Sequence, residues 1–458
     1  MFRLNRTRVA AGVAVVAVIA GLSYALTGAA VPPASAQPKT PAAPESKSDS
    51  GGGHLYMQTN ETKNAIVHYQ WAADGKLTEV ERVATGGAGS GKISPIYNIE
   101  RPNHHEGAGS VTLTADHRFL FTTNAGDNSA SSFAVDKEGR LKLLDVKPTG
   151  NKQMGGAKSV AYAPSSRTLY VLHTFGPDHV RLMSVDEEGK LTARPESYSV
   201  NTTDYPNNWP NRGPTMVVLS PDGKFLLVGT TFDELPSRKN PDGTVIGWIP
   251  HGPDGKLHFI GSNAPDPNGI VVFPLRKDGT LGEAKFQDAK GASPFYIAFL
   301  NRKPDTFVIG YAVSDACALA TIDKDGKIDV GPLVKIDTSA GLPSELCWLA
   351  VSPDDKFVYT TNFGYSYMSS FRIADGKLSI AKDPACPKVP GDGTFRALNL
   401  TLGSGPSDSW MTPDGAYVYQ IYGNASKLVG YATQKDGSLK EISSVKIPYN
   451  SPQGLAGF

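Results

Sequence analysis

His104-His105-Glu106 is the densest run of chemically able side chains in this sequence. Two imidazoles and a carboxylate can supply a general base, with His105 and Glu106 the candidates for taking a proton from water. A solvated loop is the alternative. Adjacent residues rarely ligate one metal ion, so a metal centre here needs partners from elsewhere in the chain. His173 follows Leu169-Tyr170-Val171-Leu172 and is either a third catalytic group or a hydrogen-bonded histidine at a strand end. Lys158, Arg212, Asp233, Glu345 and Asp408 are candidates for binding substrate. Arg212 suits a carboxylate, which a guanidinium grips with two parallel hydrogen bonds; a surface salt bridge is its alternative. Glu345 and Asp408 each precede an apolar run, where a carboxylate can instead cap backbone N–H groups. There is no Gly-x-Ser-x-Gly elbow, P-loop or dinucleotide fingerprint. No cofactor is implied, and no CxxC or Cys/His spacing suggests structural zinc.

The elements that position these residues come from a repeat. An acidic residue, Gly, a variable residue, then Leu or Ile occurs at 74–77, 138–141, 188–191, 278–281, 325–328, 375–378 and 436–439. Asp-Gly between alternating apolar runs marks a hairpin, because Gly accepts the positive φ of a tight turn. A second element, clearest at Ser220-Pro221-Asp222-Gly223-Lys224-Phe225, has relatives at Ser352-Pro353-Asp354 and Thr412-Pro413-Asp414 and weaker copies elsewhere. Together they give four strands per repeat: a, turn, b, loop, c, Asp-Gly turn, d. Repeated in this way, they predict an all-β fold, a seven-bladed β-propeller of four-stranded blades.

The a–b turn is missing from the first repeat, which opens on His54-Leu55-Tyr56-Met57-Gln58-Thr59, while a spare strand, Gln453 to Phe458, ends the sequence. The C-terminal strand is therefore expected in the first blade, closing the ring. The insertion from about Asp233 to Asn268, with its own Asp254-Gly255 turn, reads as an extra hairpin in the fourth repeat. Because a and b are antiparallel, starts of a and ends of b share one rim. That rim gathers His105, Glu106, Lys158, Arg212, Tyr296, Glu345 and Asp408 with Asn60, Asn124, His173, Asp233, Tyr311, Asn362 and Tyr422.

Arg3, Arg6 and Arg8 precede an apolar stretch to about Val31 and a small-x-small signature, Ala34-Ser35-Ala36. Residues 1–36 are expected to be a signal peptide or membrane anchor, 37–53 a flexible linker, and 54–458 the propeller. Either reading makes the protein exported, periplasmic or secreted, with a membrane tether if the segment stays. Lys plus Arg number 45 and Asp plus Glu 44, which argues against a nucleic-acid partner. The expected partner is a small-molecule substrate or ligand, and a monomer is expected. Cys317, Cys347 and Cys386 leave at least one thiol unpaired.

Phe121-Thr122-Thr123-Asn124-Ala125-Gly126, Cys347-Trp348-Leu349-Ala350-Val351-Ser352-Pro353-Asp354 and Tyr359-Thr360-Thr361-Asn362-Phe363-Gly364 resemble the lactonase family of seven-bladed propellers, with its 6-phosphogluconolactonases and carboxymuconate lactonizing enzymes. The resemblance covers about His54 to Phe458 and implies hydrolysis or isomerisation of a lactone or related carboxylated small molecule. The chain departs from the family where an Arg follows Gly-Pro (here Thr215) and where a Glu follows a b strand (here Phe232). It departs again at Asn-Arg-Gly, where Phe363 stands for the arginine, and at a His-containing blade start, here Gly156-Ala157-Lys158-Ser159. Three readings stay open: a lactonase-like enzyme with a rebuilt site, a non-catalytic propeller that binds a ligand, polymer or protein, and a metal-dependent enzyme built on the histidines.

Overall fold

All seven turn glycines, at 75, 139, 189, 279, 326, 376 and 437, have φ between +70° and +89°. The computed structural model describes residues 51–458 except 95–99, 104–106, 151–155, 175, 201–212, 232–237, 240–244, 247–268, 339–342 and 398–400. The expected signal or anchor, residues 1–36, lies outside the described residues, as does the Asp254-Gly255 turn.

The chain forms seven antiparallel sheets, each built on four strands in the order a, b, c, d. The innermost strands are Gln453–Gly457, Val111–Leu113, Ala157–Ala163, Gly213–Leu219, Pro294–Phe299, Leu346–Val351 and Pro406–Met411, for blades 1 to 7. Inner strands of neighbouring blades contact one another around the ring. Blade 1 is assembled from both ends of the propeller: Gln453–Gly457 pairs with Gly52–Gln58, Leu55 lying opposite Gly457. His54 and Phe458 exchange backbone hydrogen bonds of 2.7 and 3.0 Å. In blade 4, strands Phe225–Thr231 and Gly269–Pro274 pair directly across the insertion. Within the insertion, Arg238–Lys239 pairs with Val245–Ile246, a short extra hairpin rather than a blade.

At six of the seven c–d turns, all but that of Gly376, a recurring contact adds to the positive φ in requiring glycine. A Cβ on Gly75 would lie 2.5 Å from the Tyr417 ring of the preceding blade, on Gly189 2.6 Å from Phe119, on Gly326 2.8 Å from Phe225 and on Gly437 2.9 Å from Phe357. His54 and Thr168 occupy the same place against Gly139 and Gly279. Two residues further along the b strand, a tyrosine can reach the glycine's carbonyl: Tyr56 to Gly139 (2.6 Å), Tyr170 to Gly279 (2.8 Å) and Tyr419 to Gly75 (2.8 Å). Each buried bond contributes about 1 kcal/mol, and losing one strands a carbonyl. Between these locks lie apolar cores, such as Trp71, Leu428, Tyr419 and Trp410 at the junction of blades 7 and 1.

Candidate functional site

Inner strands of several blades are tied together by a segment with almost no side chains, Gly107-Ala108-Gly109. Ala108 N–H donates to the Thr215 carbonyl on blade 4 at 3.0 Å. Gly109 N–H donates to Asp408 Oδ1 on blade 7 at 3.3 Å. The Gly109 carbonyl accepts from Val160 N–H (2.9 Å) and Ser159 Oγ (3.3 Å) on blade 3. A Cβ on Gly107 would sit 2.6 Å from Lys158 Cδ. Gly is required here by close approach, and at Gly109 also by φ of +73°.

This segment brings two of the candidate residues together. Gly107 meets Lys158 and Gly109 meets Asp408, and two residues of chain span at most about 7 Å. Lys158 is buried, and its Nζ donates to the Pro214 carbonyl at 2.5 Å. Asp408 is buried too, and its Oδ2 accepts the Gly454 N–H of blade 1 at 3.0 Å. Burial pushes its pKa up to about 6, against the pull of the Gly454 and Gly109 N–H groups. Tyr296, on the inner strand of blade 5, is near enough to sense Asp408: burial first, then the carboxylate's charge, hold its phenol well above the ordinary range. The hydroxyl therefore stays protonated and can donate.

Glu345 is buried on blade 6 with a left-handed φ of 54°. Its N–H donates to Asp315 Oδ1 at 3.0 Å, which also accepts from Ser344 N–H and Oγ at 2.8 Å. Burial pushes Asp315 up to about 6. His173 is fully buried: Nε2 lies 2.8 Å from Thr149 Oγ1 and Nδ1 3.2 Å from the His179 carbonyl. Burial pushes it down to about 4, so the ring is neutral at physiological pH. His105, Glu106, Arg212 and Asp233 lie outside the described residues. On their flanks, Asn103 Oδ1 accepts from Gln453 Nε2 at 2.7 Å, and Gly213 opens the inner strand of blade 4.

Asp315, Arg101 and the glycine segment carry no motif or spacing that marks them in the sequence. Arg101 lies 5.9 and 6.0 Å over the rings of Phe363 and Phe395. Phe363 packs edge-on against Phe395 (5.3 Å) and 6.2 Å from Trp348, which meets Phe295 edge-on at 4.9 Å. A guanidinium from the blade 1–2 connection thus covers Phe363, the position where the resembled lactonases carry an arginine. Among the described residues, no three His, Cys, Asp or Glu side chains gather to hold a metal ion. Cys317, Cys347 and Cys386 are buried, and none is disulfide-bonded to another.

The fold is that of a seven-bladed propeller. The family model described as "Lactonase, 7-bladed beta-propeller" matches residues 47–203. The 6-phosphogluconolactonase of Erwinia tasmaniensis is 23% identical over 262 residues, covering 52% of this chain and 72% of that protein. That of Klebsiella pneumoniae is 23% identical over 298 residues, covering 62% and 83%. The structure of Pseudomonas aeruginosa periplasmic gluconolactonase PpgL superposes with a TM-score of 0.61 at 17% identity, covering 89% of this chain and 99% of that one. The chain is thus similar, at low identity and with the family model matching part of its length, to the lactonase family of seven-bladed propellers.

Proposed function

We propose that this protein is an exported lactone hydrolase acting at the channel mouth. The meeting of Lys158 and Asp408 across Gly107–Gly109, with Tyr296 close enough to Asp408 to feel its charge, carries the reading. Water attacks the acyl carbon and the ring C–O bond breaks; the base removes a proton from water, and the departing alkoxide gains one, leaving a hydroxy acid. Asp408, ionised at neutral pH with a pKa of about 6, suits the base, as do His105 and Glu106. The protonated Tyr296 hydroxyl donates to the developing oxyanion. Lys158 and Arg101 supply cations for an acid group of the substrate, and by residue type Arg212, Asp233 and Glu345 remain candidates for binding it. His173, buried and bonded at both ring nitrogens, is given no step. Export is supported by the basic, apolar and Ala34-Ser35-Ala36 start of the chain and by the likeness to a periplasmic gluconolactonase.

The test is the kinetics of Tyr296→Phe, Lys158→Met and His105→Ala in the full-length protein. Tyr296→Phe should lower kcat about 10²-fold with little change in KM, the signature of a donor used in the transition state. Unchanged kinetics in all three would remove the site. A non-catalytic binding propeller is favoured by one observation: both Asp408 oxygens already accept backbone N–H groups, as a purely structural carboxylate would.

A further inference from the structure

On the face opposite the channel mouth, where a–b and c–d turns emerge, a cavity of about 550 Å³ opens between blades 2 and 3. That volume falls within the range of small-molecule sites. Its polar groups are unevenly satisfied. In blades 4 and 6 the cation of the a–b turn is tied to the turn's own aspartate, Lys224 to Asp222 at 2.8 Å and Lys356 to Asp354 at 2.9 Å. In blade 2 the equivalent Arg118 makes no such pair. Asp116 accepts instead from Thr114 Oγ1 (2.6 Å) and Arg118 N–H (3.2 Å). The Arg118 guanidinium lies 5.1 Å over the Phe119 ring, with no carboxylate partner among the described residues.

The other acidic groups of the cavity are committed. Glu187 pairs with Arg167 at 2.9 Å. Asp186 Oδ1 accepts the N–H groups of Glu188 (3.0 Å) and Lys190 (2.7 Å). Tyr162 is half-buried in the wall, and its hydroxyl has no hydrogen-bond partner among the described residues although Arg167, Asp116 and Arg118 line the same cavity. Two uncommitted donors, a guanidinium fork and a phenol, thus border a cavity walled by the Phe119 and Tyr162 rings.

We propose that this cavity is a second binding site, for a small organic carboxylate bearing a flat ring. Arg118 takes the carboxylate bidentately, Tyr162 donates to one of its oxygens, and the ring lies against Phe119 and Tyr162. The site is distinct from the channel and stands whether or not the channel is catalytic.

Titration of the full-length protein with benzoate, followed by ligand-observed NMR, tests this. Benzamide serves as the neutral control, benzamidinium as the cationic one and gluconate as the carboxylate without a flat ring. Benzoate should bind at least fivefold more tightly than each of the three. Arg118→Gln should weaken benzoate at least tenfold and Tyr162→Phe severalfold; both changes are at the rim and should leave the circular dichroism unchanged. Benzamidinium binding as well as benzoate would show that the acidic lining dominates and would overturn the proposal. So would the absence of benzoate binding, benzoate affinity unaltered in Arg118→Gln, or gluconate binding equal to benzoate.

Discussion

Acid should loosen the seam that closes the ring, through one histidine. His68, on the c strand of blade 1, is fully buried, stacks on Tyr56 and lies 2.9 Å from His54 Nδ1 through its Nε2. His54 in turn packs against Gly139 of blade 2 and the ring of Phe458, which also stacks on His117. Burial, then the neighbouring His54, push His68 down to about 4; Glu81, 3.6 Å from Nδ1, opposes the shift and Arg140 adds to it. Burial likewise lowers His54, against the attraction of Asp136. Because the unfolded chain binds the proton more readily, stability falls as pH falls. The contribution is complete above the ordinary value of 6.5, declines below it, and is lost by about 4. From pH 7 to pH 5 the cost is up to about 2 kcal/mol. Urea denaturation of the protein and of His68→Gln at both pH values isolates it, since the buried His173 and His179 titrate alike in both. The drop should be smaller in the variant by about that amount. Equal drops would refute the reasoning.

Tyr419→Phe removes the donor to the Gly75 carbonyl across the blade 7–1 junction and should cost about 1–3 kcal/mol, read as a lowered melting temperature. An unchanged melting temperature would mean that solvent replaces the bond. Deleting Gln453–Phe458 exposes the edge of Gly52–Gln58 and should give aggregated or unfolded protein by size-exclusion chromatography. A folded, monomeric product would contradict the closure described for blade 1.

The blades were legible because their signals are local. An Asp-Gly turn and an alternating strand need nothing beyond a few neighbouring residues, and the missing a–b turn of the first repeat pointed to Gln453–Phe458 as its closing strand. Lys158, Tyr296 and Asp408 were legible as a group because antiparallel pairing puts all starts of inner strands on one rim. Gly107 and Gly109 were not, since their role is to leave room for Lys158 and Asp408, and space has no residue type. Arg101 was missed because its place over Phe363 depends on a long connection crossing between blades. His173 reads as a rim residue from its position at a strand end, yet its side chain turns into blade 3, where Thr149 meets it.

The most direct test of the account is hydrolysis of a panel of sugar and aliphatic lactones by the full-length protein, with and without chelator, beside Asp408→Asn shown by circular dichroism to be folded. The account predicts turnover by the wild type and a loss of at least about 10²-fold in kcat/KM in the variant. Well-folded wild-type protein with no turnover on any lactone, or full activity in Asp408→Asn, would contradict it and leave a propeller that binds without catalysis or works from another site.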